Sequence, residues 1–459
     1  VKITDAQVDR VARALADAPS AAYTTPHVYP WAVQNFEPRP LAERVRPGNG
    51  SLRLYVHIPF CNYRCTFCFF AVRVGAKRAE MERYVAALER ELAWVTPGTS
   101  LAQLFIGGGT PTALPPDLLS VLLHAVLARM TSAAGRPHTV EASPESIRDG
   151  HLRVLQDHAV GRVSMGIESL DDSVLDTVRR RHTPVQALEA CRLVVASGRL
   201  LNIDLIYGLP GQTEASFQRD LEAVAAAGVH SLCLYVLRTN ENTPVAARLA
   251  AEERLDLGRL MRWRAFVTRA AAELGFEQTR CFMFERRAAT RPEPSPTSGV
   301  GGAIDQFGIG MSARSQLGDV VYRNHERSEA YLQRVERSQS PVETVFHLDL
   351  DDRKAQLLAG SLGGGKALWR TAYENAIGSA IDDDFGELLE RLRAADLIED
   401  DGSWIVLTET GKLVYDRVLL CFYPERAKRW LREREGRPSD YRSRPARRTD
   451  LAGLADRHG

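Results

Sequence analysis

The sequence has almost no net charge: 59 basic and 58 acidic residues leave +1 at neutral pH over 459 residues. That balance gives no electrostatic case for nucleic acid or an anionic membrane as a partner. It also lacks an apolar run long enough to span a bilayer, because its alanine-rich stretches are broken by Arg, Glu and Asp. No basic-apolar leader follows Val1, so a soluble, cytoplasmic protein is expected. Cysteine is scarce, and 7 thiols in so long a chain do not make a disulfide framework. Four of them, Cys191, Cys233, Cys281 and Cys421, stand singly among apolar neighbours and read as small buried hydrophobes.

The other three are gathered. Cys61, Cys65 and Cys68 form C-x3-C-x2-C within "HIPFCNYRCTFCFF", directly after the apolar run "LRLYVHI". A zinc site would want a fourth Cys or His close by, or a second C-x2-C pair, and the sequence offers no such pair. Three thiolates instead suit a four-cornered metal cluster with one corner left for another ligand.

Around this triplet the chain is periodic. "LRLYVHI", "QLFI", "HTVEA", "GRVSMGI", "LLNIDLIY" and "SLCLYVL" are short, apolar and rich in β-formers, as strands buried on both faces should be. Helical patterns with plausible caps separate them, among them "RAEMERYVAALERELAWV", "PDLLSVLLHAVLARM", "PESIRDGHLRVLQDH" and "EASFQRDLEAVAAAG". Strict alternation implies an α/β fold of parallel strands with right-handed crossovers, as an open sheet or a full or partial β/α barrel. In a barrel the carboxyl ends of the strands share one mouth. The distinctive polar residues fall there: the cysteine loop, "GGGTP", Glu141, Glu168, and Asp204 ahead of "YGLPGQT".

Taken singly, each of these has a plainer reading. "GGGTP" is neither G-x-G-x-x-G nor a P-loop, and serves as a tight turn or as backbone that a ligand can approach closely. Arg180 in "VRRRH" would sit on a solvated helix face, and Asp204 would cap or pair.

In combination they resemble a known family. C-x3-C-x2-C after the first strand, with Phe67 before the last cysteine, "GGGTP" and "DLIYGLPGQT" resemble the radical S-adenosylmethionine (SAM) enzymes. "YVHIPFC", "SMGIES", "NIDLIYGLPGQT" and "FGIGMSARSQLGD" are similar to its oxygen-independent coproporphyrinogen III oxidase-like, or HemN-like, branch. The resemblance implies a partial (β/α)6 barrel with a C-terminal winged-helix-like α+β domain. It implies a 4Fe-4S cluster on Cys61, Cys65 and Cys68, whose open iron binds SAM, with Phe67, Phe69 and Phe70 shielding it from water. Tyr55, Phe67, Gly108, Gly109 and Thr110 match positions lining the first SAM, and Glu141, Glu168, Arg180, Asp204 and Val236 match others around the SAM molecules. Arg314 matches a position near a second SAM.

Two departures narrow the expectation. The branch's coproporphyrinogen oxidases carry a further cysteine where Phe70 stands, and a glutamine where Glu168 stands. Both are taken to argue against porphyrinogen decarboxylation and for a class C radical SAM methyltransferase or cyclopropanase. Such an enzyme would use two SAM molecules to add a methyl or methylene carbon to an sp2 carbon of an unsaturated or heteroaromatic natural-product intermediate. Glu168, Tyr235 and Tyr29 are candidates for its proton transfer. It would need an electron donor of flavodoxin or ferredoxin type, and a partner methyltransferase would fit such a pathway. The alternatives are a heme-pathway radical SAM enzyme, either a coproporphyrinogen dehydrogenase or a heme-degrading methyltransferase, and a non-enzymatic heme chaperone.

Five stretches follow along the chain. Residues 1–50, with "YTTPHVYPW", form an arm or a lid over the mouth, and 51–240 the barrel core. Residues 241–344 hold the second SAM motif and "RAATRPEPSPTSGVGG", read as lining the substrate pocket. Residues 345–430 are helix, hairpin turning at "EDDGS", and helix; their acidic content speaks against DNA binding. Residues 431–459 form a flexible Arg-rich tail.

Overall fold

The computed structural model describes residues 3–19, 51–133, 137–239, 243–249, 253–286 and 305–433. Residues 20–50 of the arm or lid expected over 1–50, with Tyr29, the 287–302 segment, and residues 434–459 of the tail expected over 431–459 lie outside the described residues. Helix α1 (Asp5–Ala14), capped by Thr4, precedes six strands: β1 (Leu52–Ile58), β2 (Thr99–Gly108), β3 (Thr139–Ala142), β4 (Arg162–Glu168), β5 (Leu200–Tyr207) and β6 (Ser231–Val236). All six lie side by side in chain order and every neighbouring pair is parallel. The crossovers are α2 (Arg78–Leu92), α3 (Pro116–Arg129), α4 (Asp149–Asp157), α5 (Asp172–Thr177) with α6 (Pro184–Ala196), and α7 (Glu214–Ala226). Thr183 with Gln186 and Thr213 with Ser216 form capping boxes that fix where α6 and α7 begin. Helix α4 starts at Asp149, later than its helical pattern suggests, because the Ser146 hydroxyl bonds the Ser143 carbonyl and offers the backbone a turn instead.

The sheet stays open and is extended at both edges. After α8 (Leu257–Glu273), the hairpin β7 (Phe276–Arg280) and β8 (Met283–Arg286) pairs antiparallel with β6. On the other side β9 (Gln306–Ile309) pairs parallel with β1, followed by antiparallel β10 (Arg314–Leu317), β11 (Val320–Asn324) and β12 (Val342–His347), with α9 (Ser328–Glu336) between the last two. A buried carboxylate anchors this extension. Glu91 of α2 accepts from the Gly310 amide at 2.8 Å, Asn324 Nδ2 at 2.6 Å and the Tyr331 hydroxyl at 2.6 Å.

The C-terminal unit contains α10 (Leu350–Ser361), β13 (Leu368–Trp369), α11 (Arg370–Ile377), α12 (Ile381–Ala394), β14 (Ile398–Asp400), β15 (Trp404–Leu407), α13 (Glu409–Lys412), α14 (Tyr415–Cys421) and α15 (Glu425–Arg432). Its sheet runs β13-β15-β14, and the β14–β15 turn is closed by Asp401 Oδ1 accepting from the Ser403 and Trp404 amides. Two main cores result. The larger covers the strands and their helices. The second unites Val11 of α1 and its C-cap Leu15 with Met261, Cys281, Tyr373, Leu392, Val414 and Phe422, so both ends of the described chain share one apolar interior. No helix among the described residues is long and apolar enough to cross a membrane.

Candidate functional site

Where β1 ends, the chain leaves the sheet as a cinched loop. Phe60–Cys61 pairs with Arg73–Val74, and the Arg73 amide donates to the Pro59 carbonyl at 2.7 Å. Cys61, Cys65 and Cys68 lie inside this loop, each a free, half-buried thiol. The Thr66 amide bonds the Val178 carbonyl at 3.1 Å, which ties the loop to the end of α5. Burial pushes the Cys61 thiol up to about 12 and Cys65 up to about 11, and raises Cys68 too, so bound iron would have to displace these protons. Of the three phenylalanines, Phe67 packs against the cluster that holds Val174, Val178, Ile206 and Leu209, whereas Phe69 and Phe70 lie tilted against each other and stay 42% and 48% exposed. The shielding expected of all three therefore falls to Phe67.

Beside this loop, β2 carries its glycines. The strand runs through Gly107 and Gly108, beyond the "QLFI" stretch that marks it in sequence. A Cβ on Gly107 would meet Glu141 Oε2 at 2.8 Å, and one on Gly108, whose φ is +114°, would meet the His57 ring at 2.6 Å. One on Gly109 would lie 2.8 Å from the Phe60 and Pro59 carbonyls and 2.9 Å from the Cys61 sulfur. These contacts let the Gly109 amide reach the Ile58 carbonyl at 2.7 Å and bring the Thr110 hydroxyl to 3.6 Å from Cys61 Sγ.

Three carboxyl groups from successive strands face one another beneath. Glu141 Oε2 accepts from the Gly108 amide at 3.0 Å. Glu168 closes β4 in the left-handed region, φ 72°, an uncommon conformation for a residue with a side chain. Asp204 Oδ1 accepts from Asn202 at 2.7 Å, and Asn202 is itself held by Ser164 and Ser231. Burial, then mutual repulsion, pushes each carboxyl up to about 7, with Arg180 opposing the rise at Glu168 and Asn202 opposing it at Asp204. Tyr235 lies near them, stacked on Phe282 at 5.5 Å between ring centroids.

Arg180 does not lie on a helix face. Helix α5 stops at Thr177, Arg179 turns left-handed with φ 58°, and the Arg180 amide bonds the Leu175 carbonyl at 2.8 Å. That reversal drives the side chain inward, where it donates to the Gly166 carbonyl and approaches Cys65 Sγ at 3.6 Å. Tyr55 bonds His57 Nδ1 at 3.0 Å and stacks on Phe105. Val236 ends β6 in register with Tyr207. The Arg314 backbone passes close to Gly308, the partner of Tyr55 across the β1–β9 pairing. Sequence reasoning passed over His57, buried under Gly108, and the Glu145–His182 contact at 3.7 Å, where nearby Arg180 favours both the ionised carboxylate and the neutral imidazole. No spacing signal marked the latter, since its members meet only through the fold.

Three free thiols on one loop, walled by Gly109, Thr110 and Arg180, form a donor set that fits a cluster with three thiolate ligands. No three His, Cys, Asp or Glu side chains among the described residues are gathered as a single metal ion would need. Residues 55–224 match the model of the Radical SAM superfamily. The chain is 28% identical over 401 residues to an oxygen-independent coproporphyrinogen III oxidase of Pseudomonas aeruginosa, covering 82% of this chain and 86% of that one. It is 27% identical over 380 residues to the heme chaperone HemW of Lactococcus lactis, covering 80% and 97%. Among solved structures it is similar to coproporphyrinogen III oxidase (HemN) from Escherichia coli, with a TM-score of 0.70, 26% identity and coverage of 83% and 92%.

These relatives overturn the expectation of methyl or methylene transfer to a natural product, and do not support the methyltransferase or cyclopropanase assignment. The two departures carried too much weight. Phe70 is 48% exposed on the loop and Glu168 lies near Arg180, and neither single position outweighs what the relatives show.

Proposed function

We propose that this chain, which carries a radical SAM domain, acts in the heme pathway as a radical SAM enzyme on a tetrapyrrole substrate. The observation that carries the reading is the convergence of the cysteine loop, Arg180 and the three half-buried carboxyl groups toward the carboxyl ends of parallel strands, in a chain whose relatives are coproporphyrinogen oxidases and heme chaperones. Cys61, Cys65 and Cys68 would hold the cluster. When bound, that group supplies the single electron that cleaves SAM reductively.

The protein's own part is positioning and exclusion of water. Arg180 presents a fixed guanidinium beside Cys65, suited to the methionyl carboxylate of SAM. The Gly107–Gly109 backbone allows close approach of the amino group, and Glu141, Glu168 and Asp204 offer acceptors to ribose hydroxyls. With pKa values near 7, these carboxyl groups can hold or release a proton at working pH. Tyr55, Val236 and Arg314 would complete the SAM positions. A flavodoxin- or ferredoxin-type donor would supply electrons.

A second reading, heme chaperone, is favoured by the match that spans 97% of the HemW relative. Titration of the anaerobically reconstituted chain with SAM, followed by electron paramagnetic resonance of the reduced cluster, tests the first reading. A SAM-dependent change of the signal is expected. An unchanged signal together with tight stoichiometric heme binding would favour the chaperone.

A further inference from the structure

We infer that the C-terminal unit positions the carboxyl ends of β5 and β6 through a buried relay from Asp416 to Arg264 to Tyr207. Arg264 projects from α8 and is 5% exposed. Its Nη1 and Nη2 meet the two oxygens of Asp416 at 2.9 and 2.8 Å, Nη1 also reaches the Leu413 carbonyl at 2.9 Å, and Nε donates to the Tyr207 hydroxyl at 3.2 Å. The Tyr415 ring lies 4.8 Å from the guanidinium carbon. Arg238, in the loop leaving β6, approaches Asp416 at 3.6 Å.

The directions of these bonds set the inference apart from a plain domain contact. A buried ion pair is costly to desolvate, and well-packed apolar side chains of similar volume would join two units at least as firmly. A planar fork that donates to the carboxylate, a carbonyl and a phenol fixes orientation as well as contact. Its far end is Tyr207, the last residue of β5, three positions beyond Asp204. The Tyr207 carbonyl accepts from the Leu237 amide at 2.9 Å, which sets the residue following Val236. Trp263, one residue before Arg264 on α8, stacks on the Tyr207 ring with centroids 6.0 Å apart, so the phenol cannot swing away without moving α8. Asp416 thus constrains Tyr207, and through it the strand ends that carry Asp204 and Val236.

The relay rests on the reading of Asp204 and Val236 as SAM-contacting residues, and the experiment separates the two. The reconstituted full chain is compared with Tyr207→Phe, Asp416→Asn and Asp204→Asn. Three quantities are measured: the SAM dissociation constant by equilibrium dialysis, KM and kcat for reductive SAM cleavage, and the urea midpoint. Tyr207→Phe removes one hydroxyl and should fold even if Asp416→Asn does not. The expected result is a rise of ~10-fold in the SAM dissociation constant and KM for the relay variants, the worth of a hydrogen bond to a charged group, with kcat changed far less. A fallen urea midpoint with unchanged SAM affinity in both relay variants, while Asp204→Asn weakens SAM, would overturn the relay and leave the SAM site standing. Unchanged affinity in Asp204→Asn would overturn the underlying reading of the site, and the relay with it.

Discussion

Arg180 Nη1 lies 3.6 Å from the sulfur of Cys65, although 115 residues separate them. The contact joins the cluster loop to the turn after α5, and it exists because Arg179 takes a left-handed backbone that folds Arg180 inward. Replacing Arg180 by Ala should weaken SAM binding by ~10–100-fold, the loss of charge-assisted hydrogen bonds. Arg180→Lys should recover only part, because an ammonium cannot reproduce the fork. Equilibrium dialysis with labelled SAM on the reconstituted chain measures both.

The thiols give a second prediction. Cys61→Ala, Cys65→Ala and Cys68→Ala should each abolish stable cluster assembly, read as loss of iron and of charge-transfer absorbance after anaerobic reconstitution. Cys191→Ala, a buried thiol on α6 far along the chain from the loop, should retain both.

Glycines supply a matched pair. Gly109→Ala would press a methyl group to within 2.8 Å of two loop carbonyls and 2.9 Å of Cys61 sulfur, and should cost about 1–3 kcal/mol of stability along with iron occupancy. Gly360→Ala, inside α10 with nothing within 4 Å, should stabilise by about 0.5–1 kcal/mol. Urea denaturation of both variants checks the contrast.

Acid should act through Asp416. Burial alone would raise its carboxyl, but the Arg264 guanidinium outweighs burial and holds it well below the usual range. A depressed folded pKa contributes stability that is present above the unfolded value, about 3.9, and lost as pH falls through the folded one. The gap in urea midpoint between the native chain and Asp416→Asn should therefore be full near pH 7 and close as pH drops below about 4. A gap independent of pH would contradict the ion pair.

Asp204 should show the opposite sign. Its carboxyl is pushed up to about 7 by burial and by Glu141, so the folded chain binds more protons than the unfolded one between about 4 and 7, and stability falls as pH rises through that window. Asp204→Asn removes that penalty and should stabilise the ligand-free chain at pH 8 by on the order of 1 kcal/mol, even as it weakens SAM binding. Urea midpoints at pH 5 and 8 give the test.

Much of this was legible in sequence. Strands buried on both faces leave continuous apolar runs, so all six core strands stood out, and the thiol spacing marked the loop. What escaped detection was non-local. The open sheet gains β7–β8 on one edge and β9–β12 on the other, pairings that no local period encodes. Arg180 read as solvated when taken singly, because its inward turn depends on one left-handed residue, and only the motif resemblance placed it at the site; Arg264 and Asp416 meet across 152 positions. The substrate class was misjudged because two single positions, Phe70 and Glu168, were weighed above a resemblance that spans most of the chain and leads to coproporphyrinogen oxidases and heme chaperones.

The most direct test of the central claim is to incubate the anaerobically reconstituted chain with dithionite and SAM, with and without coproporphyrinogen III, and to follow deoxyadenosine and the tetrapyrrole by mass spectrometry. The account predicts that SAM cleavage accelerates with the tetrapyrrole present and that the tetrapyrrole is converted. SAM cleavage indifferent to coproporphyrinogen and heme alike, with both recovered unchanged, would contradict it.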